Sequence, residues 1–585
     1  MRDGGERVVF DVHRDSSGQT DAPEPMNGMC GRSPLDLDAD GEAWVATTRD
    51  AMSVADQVSQ LFVFACEGEG DDTVDAITAL RPGGIHRFPT GPIDGVWRAA
   101  RRMLESADVP LVMSGDIEGG TISYPFATAV PNQMGLAACD DLDLSERIAR
   151  VVARESRALG YDWSFTPVVD VNAEFRSAIV GTRSYGSDRD TVLAQARTYV
   201  RALQAEGVAA CAKHWPGDGF DSRDQHLVTS VNPLDMDAWR ALFGKIYGTL
   251  IGDGVMTIMS AHIALPAYIR ERNSSAGRDA FMPATISRLL NEDLLRGELG
   301  FQGLIVSDAT GMGGLTSWMD REAAVPAVIE NGCDMFLFSR HPARDIDLMM
   351  RGLRAGRLSE ERLHAAVTRI LSFKAALGLH HKSIEQRVRP LDAMTAVLRM
   401  PESQATAREA LGRGVTLTKD IDGLFPIDPV LHRRVVVIAE EGWSFFVGAL
   451  ERSFEPFLAE LRARGFEVRM YDPGEHPTPD DTDLVLYLVG QEATPAAYHI
   501  YLDLPKLHGG HRRGMTQYWR EIPTVLISFG QPYYLFDAPT CRAAINAYNA
   551  LGDAQMEVVR RMVGEAPFTG VSPVDPFCGQ EQARW

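Results

Sequence analysis

Short apolar runs alternate with helix-length segments along the N-terminal part of the chain. Several runs consist mainly of Val, Ile, Leu and Phe without strict polar alternation, which is typical of parallel strands covered on both faces. The segments between them carry apolar residues at helical spacing, and those at 144–160 and 189–207 each end at a glycine suited to a helix C-cap. Eight such runs occur, at residues 61–65, 83–88, 111–116, 164–171, 208–215, 255–263, 304–309 and 335–339.

This alternation of strands and helices over about 300 residues predicts the α/β class, with an N-terminal (β/α)8 barrel of the TIM type. An open doubly wound sheet is the alternative that the pattern leaves. We assign the barrel to residues 42–380, closed by a helix at 358–379. Residues 1–41 are polar and rich in Gly, Pro, Asp and Ser, which predicts a flexible N-terminal extension.

A second α/β series follows a polar stretch at 381–412, which we interpret as a linker. Further apolar runs and a helical pattern at 446–464 predict a C-terminal domain at 413–585. Its mostly parallel sheet would lie between layers of helices, as an αβα sandwich. The predicted strands are 435–439, 468–472, 484–490, 524–530 and 543–549.

The composition is that of a globular chain of 585 residues, with 45% hydrophobic and 24% charged residues. The net charge of −22 argues against nucleic acid and anionic membranes as partners, because both need a basic face. The seven cysteines are odd in number and lack CxxC spacing, so neither a disulfide scaffold nor a zinc site is predicted. The N-terminus lacks a signal-peptide apolar core, and no uninterrupted apolar span of about 18 residues occurs, which predicts a soluble cytoplasmic protein.

Polar side chains follow the predicted barrel strands at the ends where (β/α)8 enzymes carry their reacting groups. A single Asp after a strand is ordinarily a turn former or a helix N-cap. Five strands that end in polar groups indicate instead a functional site at this rim. The residues are Asp116, with Glu118 just beyond it, Asp170, Lys213, His214, His262, Ser307 and Asp308.

The loop AKHWPGDGFDSRDQHLVTS at 212–230 has three interpretations: a solvated acidic loop, a metal site or an Asp–His pair. A metal site is disfavoured because no HExxH pattern and no Cys accompany its histidines. In an Asp–His pair, the Asp224 carboxylate would bind one imidazole nitrogen of His226 and leave the other to exchange a proton. No GxSxG elbow or phosphate-binding Gly-rich motif offers a competing site.

These motifs resemble those of glycoside hydrolase family 3, in particular its β-N-acetylglucosaminidases. KHWPGDGFDSRDQH (213–226) is similar to the family's KHFPGHG…DxH, and GFQGLIVSDATGM (300–312) to its GFDGVVVSDxxxM nucleophile segment. The resemblance covers about 45–380 and is weaker in the second domain, at LFPI, ISFGQPYYL and 544–574. Three further matches are GDIEGG (115–120), FTPVVDVN (165–172) and RSYG (183–186).

The resemblance implies a retaining mechanism in which Asp308 attacks the anomeric carbon and forms a covalent glycosyl-enzyme. His226, held by Asp224, would serve as the acid and base in place of the usual carboxylate. Neither a metal nor an organic cofactor is implied. The positions that bind substrate in the family correspond to Asp116, Arg183, Lys213, His214 and Met312.

The Asp–His loop separates subclasses of the family: its β-glucosidases take their acid/base Glu from the second domain and usually have a Trp where this chain has Ala309. Two departures from the family pattern bear on the substrate: Asp218 replaces the His of GHG, and TISYPF replaces an Arg-rich segment after Gly120. A terminal β-N-acetylhexosaminide is therefore better supported than a muropeptide with a lactyl carboxylate.

The expected function is an exo-acting β-N-acetylhexosaminidase on small glycosides, such as N-acetylglucosamine-containing cell-wall fragments. Three alternatives stay open: phosphorolysis, in which a neutral imidazole repels phosphate less than a carboxylate would; β-glucosidase activity; and a non-catalytic sugar-binding barrel. We expect a small-molecule glycoside as the partner, no nucleic acid or membrane, and a monomer or homodimer.

Overall fold

The computed structural model describes residues 33–120, 122, 124–443 and 453–585. Most of the predicted N-terminal extension lies outside the described residues, and the end of that segment belongs to the helix Ala39–Ala51. The bounds of 42–380, 381–412 and 413–585 for the two domains and the linker stay predictions.

Eight parallel strands form the barrel, in the sequential order that the alternating pattern predicts. A bridge between Val306 and Met335 joins the two edges of the sheet, so the TIM-type barrel is confirmed and the open sheet is wrong. The strands are β1 (Phe62–Glu67), β2 (Gly84–Phe88), β3 (Val112–Gly115), β4 (Trp163–Ser164), β5 (Ala209–Trp215), β6 (Thr257–Ser260), β7 (Leu304–Ser307) and β8 (Phe336–Leu337).

Amphipathic helices surround the barrel, and their ends follow local sequence signals. Asp141 and Asp188 cap the helices Leu142–Ala158 and Arg189–Ala205 by accepting backbone N–H groups. Each helix is followed by a glycine with positive φ, as predicted. The other barrel helices are Ala39–Ala51, Val54–Gln60, Asp71–Thr78, Ile93–Glu105, Gln133–Ala137, Met236–Trp239, Lys245–Gly252, Pro266–Arg272, Gly313–Thr316, Arg321–Glu330, Pro342–Arg354 and Glu360–Ala376.

The polar stretch between the barrel and the second sheet contains the helices Ile384–Arg387, Leu391–Thr395 and Pro401–Arg413. The last of these packs against barrel helix Leu142–Ala158 and against Gly552–Met562 of the second domain. Arg147 donates two hydrogen bonds to Glu409, at 2.9 and 3.0 Å. This segment therefore joins the two domains by regular, packed structure.

The second domain is a six-stranded sheet with a hydrophobic core on each face, which confirms the predicted sandwich. All neighbours are parallel except β9, which runs antiparallel to β14. In order β9-β14-β13-β12-β10-β11, the strands are β9 (Thr416–Asp420), β10 (Arg434–Glu440), β11 (Glu467–Met470), β12 (Leu484–Val489), β13 (Thr524–Ser528) and β14 (Ala543–Asn546). The helices are Glu455–Ala463, Leu504–Leu507 and Gly552–Met562.

Two details of this domain differ from the sequence prediction. The polar strand β9, TLTKD, was not predicted because it lacks an apolar run. The helix predicted at 446–464 is observed at Glu455–Ala463, and residues 444–452 lie outside the described residues.

A lysine is fully buried at the base of the barrel, the end opposite the C-terminal ends of the strands. Lys374 donates a hydrogen bond of 2.6 Å to Oε1 of Gln60, which directly precedes Leu61 and β1. Burial, and then the charge of Arg387, lower the pKa of Lys374 to about 7. The unfolded chain therefore binds a proton that the native state takes up only near neutrality.

We expect Lys374→Met to stabilise the protein at pH 7, by about 1–3 kcal/mol after the cost of the unpaired Gln60 oxygen. The pKa of Lys374 is lower in the native state than in the unfolded chain. Its destabilisation of the native state therefore grows as pH falls from the unfolded-chain pKa toward 7, and is constant below pH 7. Urea unfolding at pH 7 and pH 10 measures this: the gain should shrink at pH 10. A gain that does not change with pH would contradict the assigned cause.

Candidate active site

The loops at the C-terminal ends of the barrel strands bring the predicted rim residues together. Gly313, in the loop after β7, donates to the carbonyl of His226, at 2.7 Å, and Gly314 to that of Gln225. An added Cβ on Gly313 would lie 2.2 Å from the Leu227 carbonyl oxygen, so only glycine permits this approach. The segment that carries Asp308 and the segment that carries the Asp–His pair therefore form one site.

Asp308 directly follows β7 and is buried. Its N–H donates to the Ser260 carbonyl at 2.8 Å, and its Oδ1 accepts the Ala309 N–H at 2.7 Å. Its Oδ2 has no hydrogen-bond partner among the described residues. A carboxylate oxygen that is buried but unengaged is suited to attack an electrophilic carbon.

The charge of Asp308 is maintained by three imidazoles. Burial alone would raise the pKa of Asp308, but His214, His262 and His226 together hold it below its ordinary value. His262 itself is fixed by Thr285, at 2.9 Å from Nδ1, and by the Ala309 carbonyl, at 3.0 Å from Nε2. The nucleophile candidate is thus ionised at neutral pH.

Asp224 and His226 form the hydrogen-bonded pair that their spacing predicts. Oδ1 of Asp224 lies 2.7 Å from Nδ1 of His226 and also accepts the His226 backbone N–H at 2.8 Å. The Asp224 side chain is 1% exposed and that of His226 is 28% exposed. With Nδ1 engaged, Nε2 is the nitrogen that remains for proton exchange.

The second domain contacts this pair directly, which the sequence did not predict. The backbone N–H of Ala496, in the loop after β12, donates to Oδ2 of Asp224 at 2.6 Å. In the same loop, the N–H of Ala493 donates to Thr182 at 2.9 Å and that of Thr494 to the Ala178 carbonyl at 3.0 Å. The loop therefore docks on this rim of the barrel and fixes the carboxylate of the pair.

A buried ion cluster occupies the adjacent part of the rim. Glu118 accepts two hydrogen bonds from Arg183, at 2.7 and 2.9 Å, and lies 2.7 Å from Nζ of Lys213. Lys213 also donates to Asp116 at 2.7 Å. Burial alone would lower the pKa of Lys213, but Asp116 and Glu118 raise it to about 12. Glu118 thus holds two predicted sugar-binding cations in place, a role not assigned from the sequence.

His214 belongs to a second Asp–His pair. Its Nδ1 lies 2.6 Å from Oδ2 of Asp170, and its Nε2 lies 3.5 Å from Arg183. The other oxygen of Asp170 accepts the N–H groups of His214 and Asp218, at 3.1 and 2.9 Å. Burial and the charge of Asp170 raise the pKa of Asp218 well above its ordinary value, so the acid that replaces the family's His favours its neutral form.

Two other predicted residues have positions that limit their roles. Ser307 is buried within β7 and accepts the Leu337 N–H at 2.9 Å, which is a contact between barrel strands. Met312 is buried in the loop after Asp308, where its N–H donates to the Ala309 carbonyl at 3.1 Å. Binding of substrate by Met312 stays a prediction.

The second domain also brings a buried carboxylate to the interface. Glu492 accepts hydrogen bonds from the side chain of Asn132, at 3.0 Å, and from the Ala550 N–H, at 3.2 Å. An added Cβ on Gly120 would lie 2.4 Å from its Oε2. Glu492 thus binds the loop after β3 and the end of the second sheet.

Two chemical features lie away from this rim. Within the described ranges, the one cluster of His and carboxylate groups spaced for a metal ion is Asp40, His380 and His381. None of the helices in the described part of the chain has the length and apolar character needed to cross a membrane.

Comparisons with known proteins agree with this architecture. The model of the glycosyl hydrolase family 3 N-terminal domain matches residues 54–373. The β-N-acetylglucosaminidase/β-glucosidase of Cellulomonas fimi is 40% identical over 562 residues, which cover 94% of this chain and 98% of that protein. A β-hexosaminidase of Stenotrophomonas maltophilia (strain K279a) is 33% identical over 53% of this chain and 85% of its own length.

Solved structures show the same two-domain arrangement. The β-glucoside phosphorylase BglX superposes with a TM-score of 0.86 at 32% identity, covering 94% of this chain and 99% of that one. A β-N-acetylglucosaminidase from Paenibacillus sp. str. FPU-7 superposes with a TM-score of 0.74 at 25% identity, over 90% of this chain and 99% of that one. The matched domain includes all of these rim residues, and the chain belongs to glycosyl hydrolase family 3, as a glycoside hydrolase.

Proposed function

We propose that this chain is a retaining, exo-acting β-N-acetylhexosaminidase that removes terminal N-acetylglucosamine-type β-glycosides. The proposal rests on one observation: the same site contains an ionised carboxylate that has an unengaged oxygen, and also an Asp–His pair. The first supplies a nucleophile and the second supplies a proton.

In the proposed first step, Asp308 attacks the anomeric carbon and forms a glycosyl ester, while the bond to the leaving oxygen breaks. His226 donates its Nε2 proton to that oxygen, and the Asp224 carboxylate stabilises the imidazolium before this transfer. In the second step, His226 takes a proton from water, which attacks the same carbon and releases Asp308. Two inversions give net retention.

The ion cluster supports the proposed binding of sugar hydroxyls. Asp116, Lys213, Arg183 and His214 are held by one another and by Glu118, so their donors and acceptors are fixed before substrate arrives. Such fixed groups contribute most where their hydrogen bonds strengthen in the transition state.

The choice of sugar rests on three of the similar proteins, which are named for N-acetylglucosamine or hexosamine glycosides, one of them also for glucosides. The test compares kcat/KM for nitrophenyl β-N-acetylglucosaminide and β-glucoside with the full chain. A higher value for the first is expected. A preference for the glucoside would change the assignment to a β-glucosidase. Binding of both glycosides without turnover would favour a sugar-binding barrel.

Phosphorolysis is a second candidate, supported by the likeness to a β-glucoside phosphorylase over 94% of this chain. An uncharged imidazole in the position of a carboxylate also repels phosphate less. Turnover of the same glycoside in phosphate and in a non-phosphate buffer, followed by ³¹P NMR, distinguishes the two. Sugar 1-phosphate supports phosphorolysis, and free sugar alone in phosphate excludes it.

The acid limb of the pH profile should depend on His214. The nucleophile must be ionised, so activity falls as pH decreases through the lowered pKa of Asp308. His214 has the largest effect among the groups that lower the pKa of Asp308, so we expect His214→Gln to move the acid limb of kcat/KM to higher pH. An unchanged limb, with only a lower plateau, would confine His214 to substrate binding.

The remaining expectations stay proposals. We propose small glycosides, including cell-wall fragments, as substrates in the cytoplasm. We also propose that neither nucleic acid nor a membrane takes part, and that the chain acts as a monomer or homodimer.

A further inference from the structure

We propose that Asp40, His380 and His381 bind a divalent transition-metal ion of the zinc class at the base of the barrel. The site would join the helix Ala39–Ala51 to the end of the last barrel helix, Glu360–Ala376. It is separate from the catalytic rim and does not depend on the proposed function.

The donor atoms converge on one point. Nε2 of His381 lies 2.9 Å from Oδ2 of Asp40, and the rings of His380 and His381 have centroids 3.8 Å apart. One ligand atom from each residue lies within 4.8 Å of the other two. Ligands of a tetrahedral zinc ion are about 3.3 Å apart, so small side-chain rotations complete the geometry.

The chemistry of the donors selects the class of metal. Two imidazoles and a carboxylate suit zinc, nickel or copper, whereas magnesium and calcium require a shell of oxygens. The side chains of Asp40 and His381 are 70% and 65% exposed, which leaves room for water as a further ligand.

A second observation points to a ligand at this place. Both ring nitrogens of His380 are shielded from solvent without a hydrogen-bond partner among the described residues. Trp44 packs against the ring, with centroids 5.1 Å apart. An imidazole shielded in this way loses the hydrogen bonds it makes in water, which is unfavourable. Coordination of a metal by one of its nitrogens would offset this loss.

The position of the site indicates what the metal would do. The two helices run antiparallel, since Asp40 at the start of the first contacts His381 beyond the end of the second, and Arg49 near the end of the first donates to Thr368 in the middle of the second at 3.1 Å. Lys374, in the final turns of the second helix, contacts Gln60 just before β1, which places this end at the base of the barrel. A metal here would therefore fasten the first described helix to the barrel and stabilise the fold, without touching the substrate.

Calorimetric titration of the chelator-treated full chain with Zn²⁺ tests the proposal. We expect a site of one equivalent, weakened at least about tenfold by His381→Ala and by Asp40→Ala, since loss of even an outer-shell partner has an effect of that size. His364→Ala is the matched control, because this exposed histidine lies on the helix Glu360–Ala376, away from the cluster. It should leave the affinity unchanged.

Thermal unfolding provides the second measurement. Free Zn²⁺ at 100 times its Kd should raise the folded-to-unfolded ratio about 100-fold in the wild type, and less in Asp40→Ala. Turnover of glycoside should be the same with and without metal. Absence of a one-equivalent site, or equal binding by the wild type and both ligand variants, would overturn the proposal. If Asp40→Ala fails to fold, Asp40→Asn replaces it, with the same expectation.

Discussion

Replacement of Asp308 by asparagine is expected to lower kcat/KM for nitrophenyl β-N-acetylglucosaminide by about 10⁴-fold or more, the scale of losing a covalent nucleophile. The amide keeps the size of the side chain and can still accept the Ala309 N–H, but it has no charge with which to attack. The three imidazoles around it would then lack the anion that they face. Stability should fall little, because the variant removes a buried charge as well as its favourable interactions.

Ser307→Ala is the matched control for this variant. Ser307 is the last residue of β7 and directly precedes Asp308, but its hydroxyl accepts the Leu337 N–H in the barrel wall. For Ser307→Ala we expect a modest loss of stability, and a kcat/KM that stays within a few-fold of the wild-type value. Retained activity in Asp308→Asn, with correct folding shown by circular dichroism, would remove Asp308 from the role of nucleophile.

The barrel was predictable because its strands are apolar runs between helical patterns, and the site because five of these strands end in polar residues. In β7, LIVS is fully buried and Asp308 follows at once, so one local pattern indicates both the strand and the site. The two-residue spacing of Asp224 and His226 likewise determines a hydrogen bond within one loop. Local patterns therefore predicted the parts of the molecule that local interactions determine.

The rest depends on contacts between distant segments. Ala496 donates a backbone N–H to Asp224 across 272 positions, and no property of an alanine side chain signals such a contact. Glu118 was visible beyond β3, but its role appears only when Arg183 and Lys213 converge on it. Strand β9 is ordered by pairing with β14 instead of by its own apolar content.

The last prediction concerns the Asp224–His226 pair, for which leaving groups of different acidity give the sharpest test. We expect His226→Gln and Asp224→Asn each to lower kcat/KM for an alkyl β-N-acetylglucosaminide by about 10²–10⁴-fold, the usual contribution of a general acid. A dinitrophenyl glycoside leaves without protonation, so its kcat/KM should fall far less. Asp221→Asn is the control: Asp221 lies in the same loop and binds Arg223 and the Val231 N–H.

With the dinitrophenyl glycoside, the same variants should accumulate the glycosyl-enzyme, because the first step needs no acid while the second step lacks its base. Azide attacks without losing a proton, so it should restore kcat in His226→Gln and give the β-glycosyl azide as product. The Asp224 variant should behave similarly but more mildly, since the imidazole remains while its orienting carboxylate, held by the Ala496 N–H, is neutralised. Equal losses for both glycosides, or no response to azide, would mean that the pair acts only in holding the loop against β7.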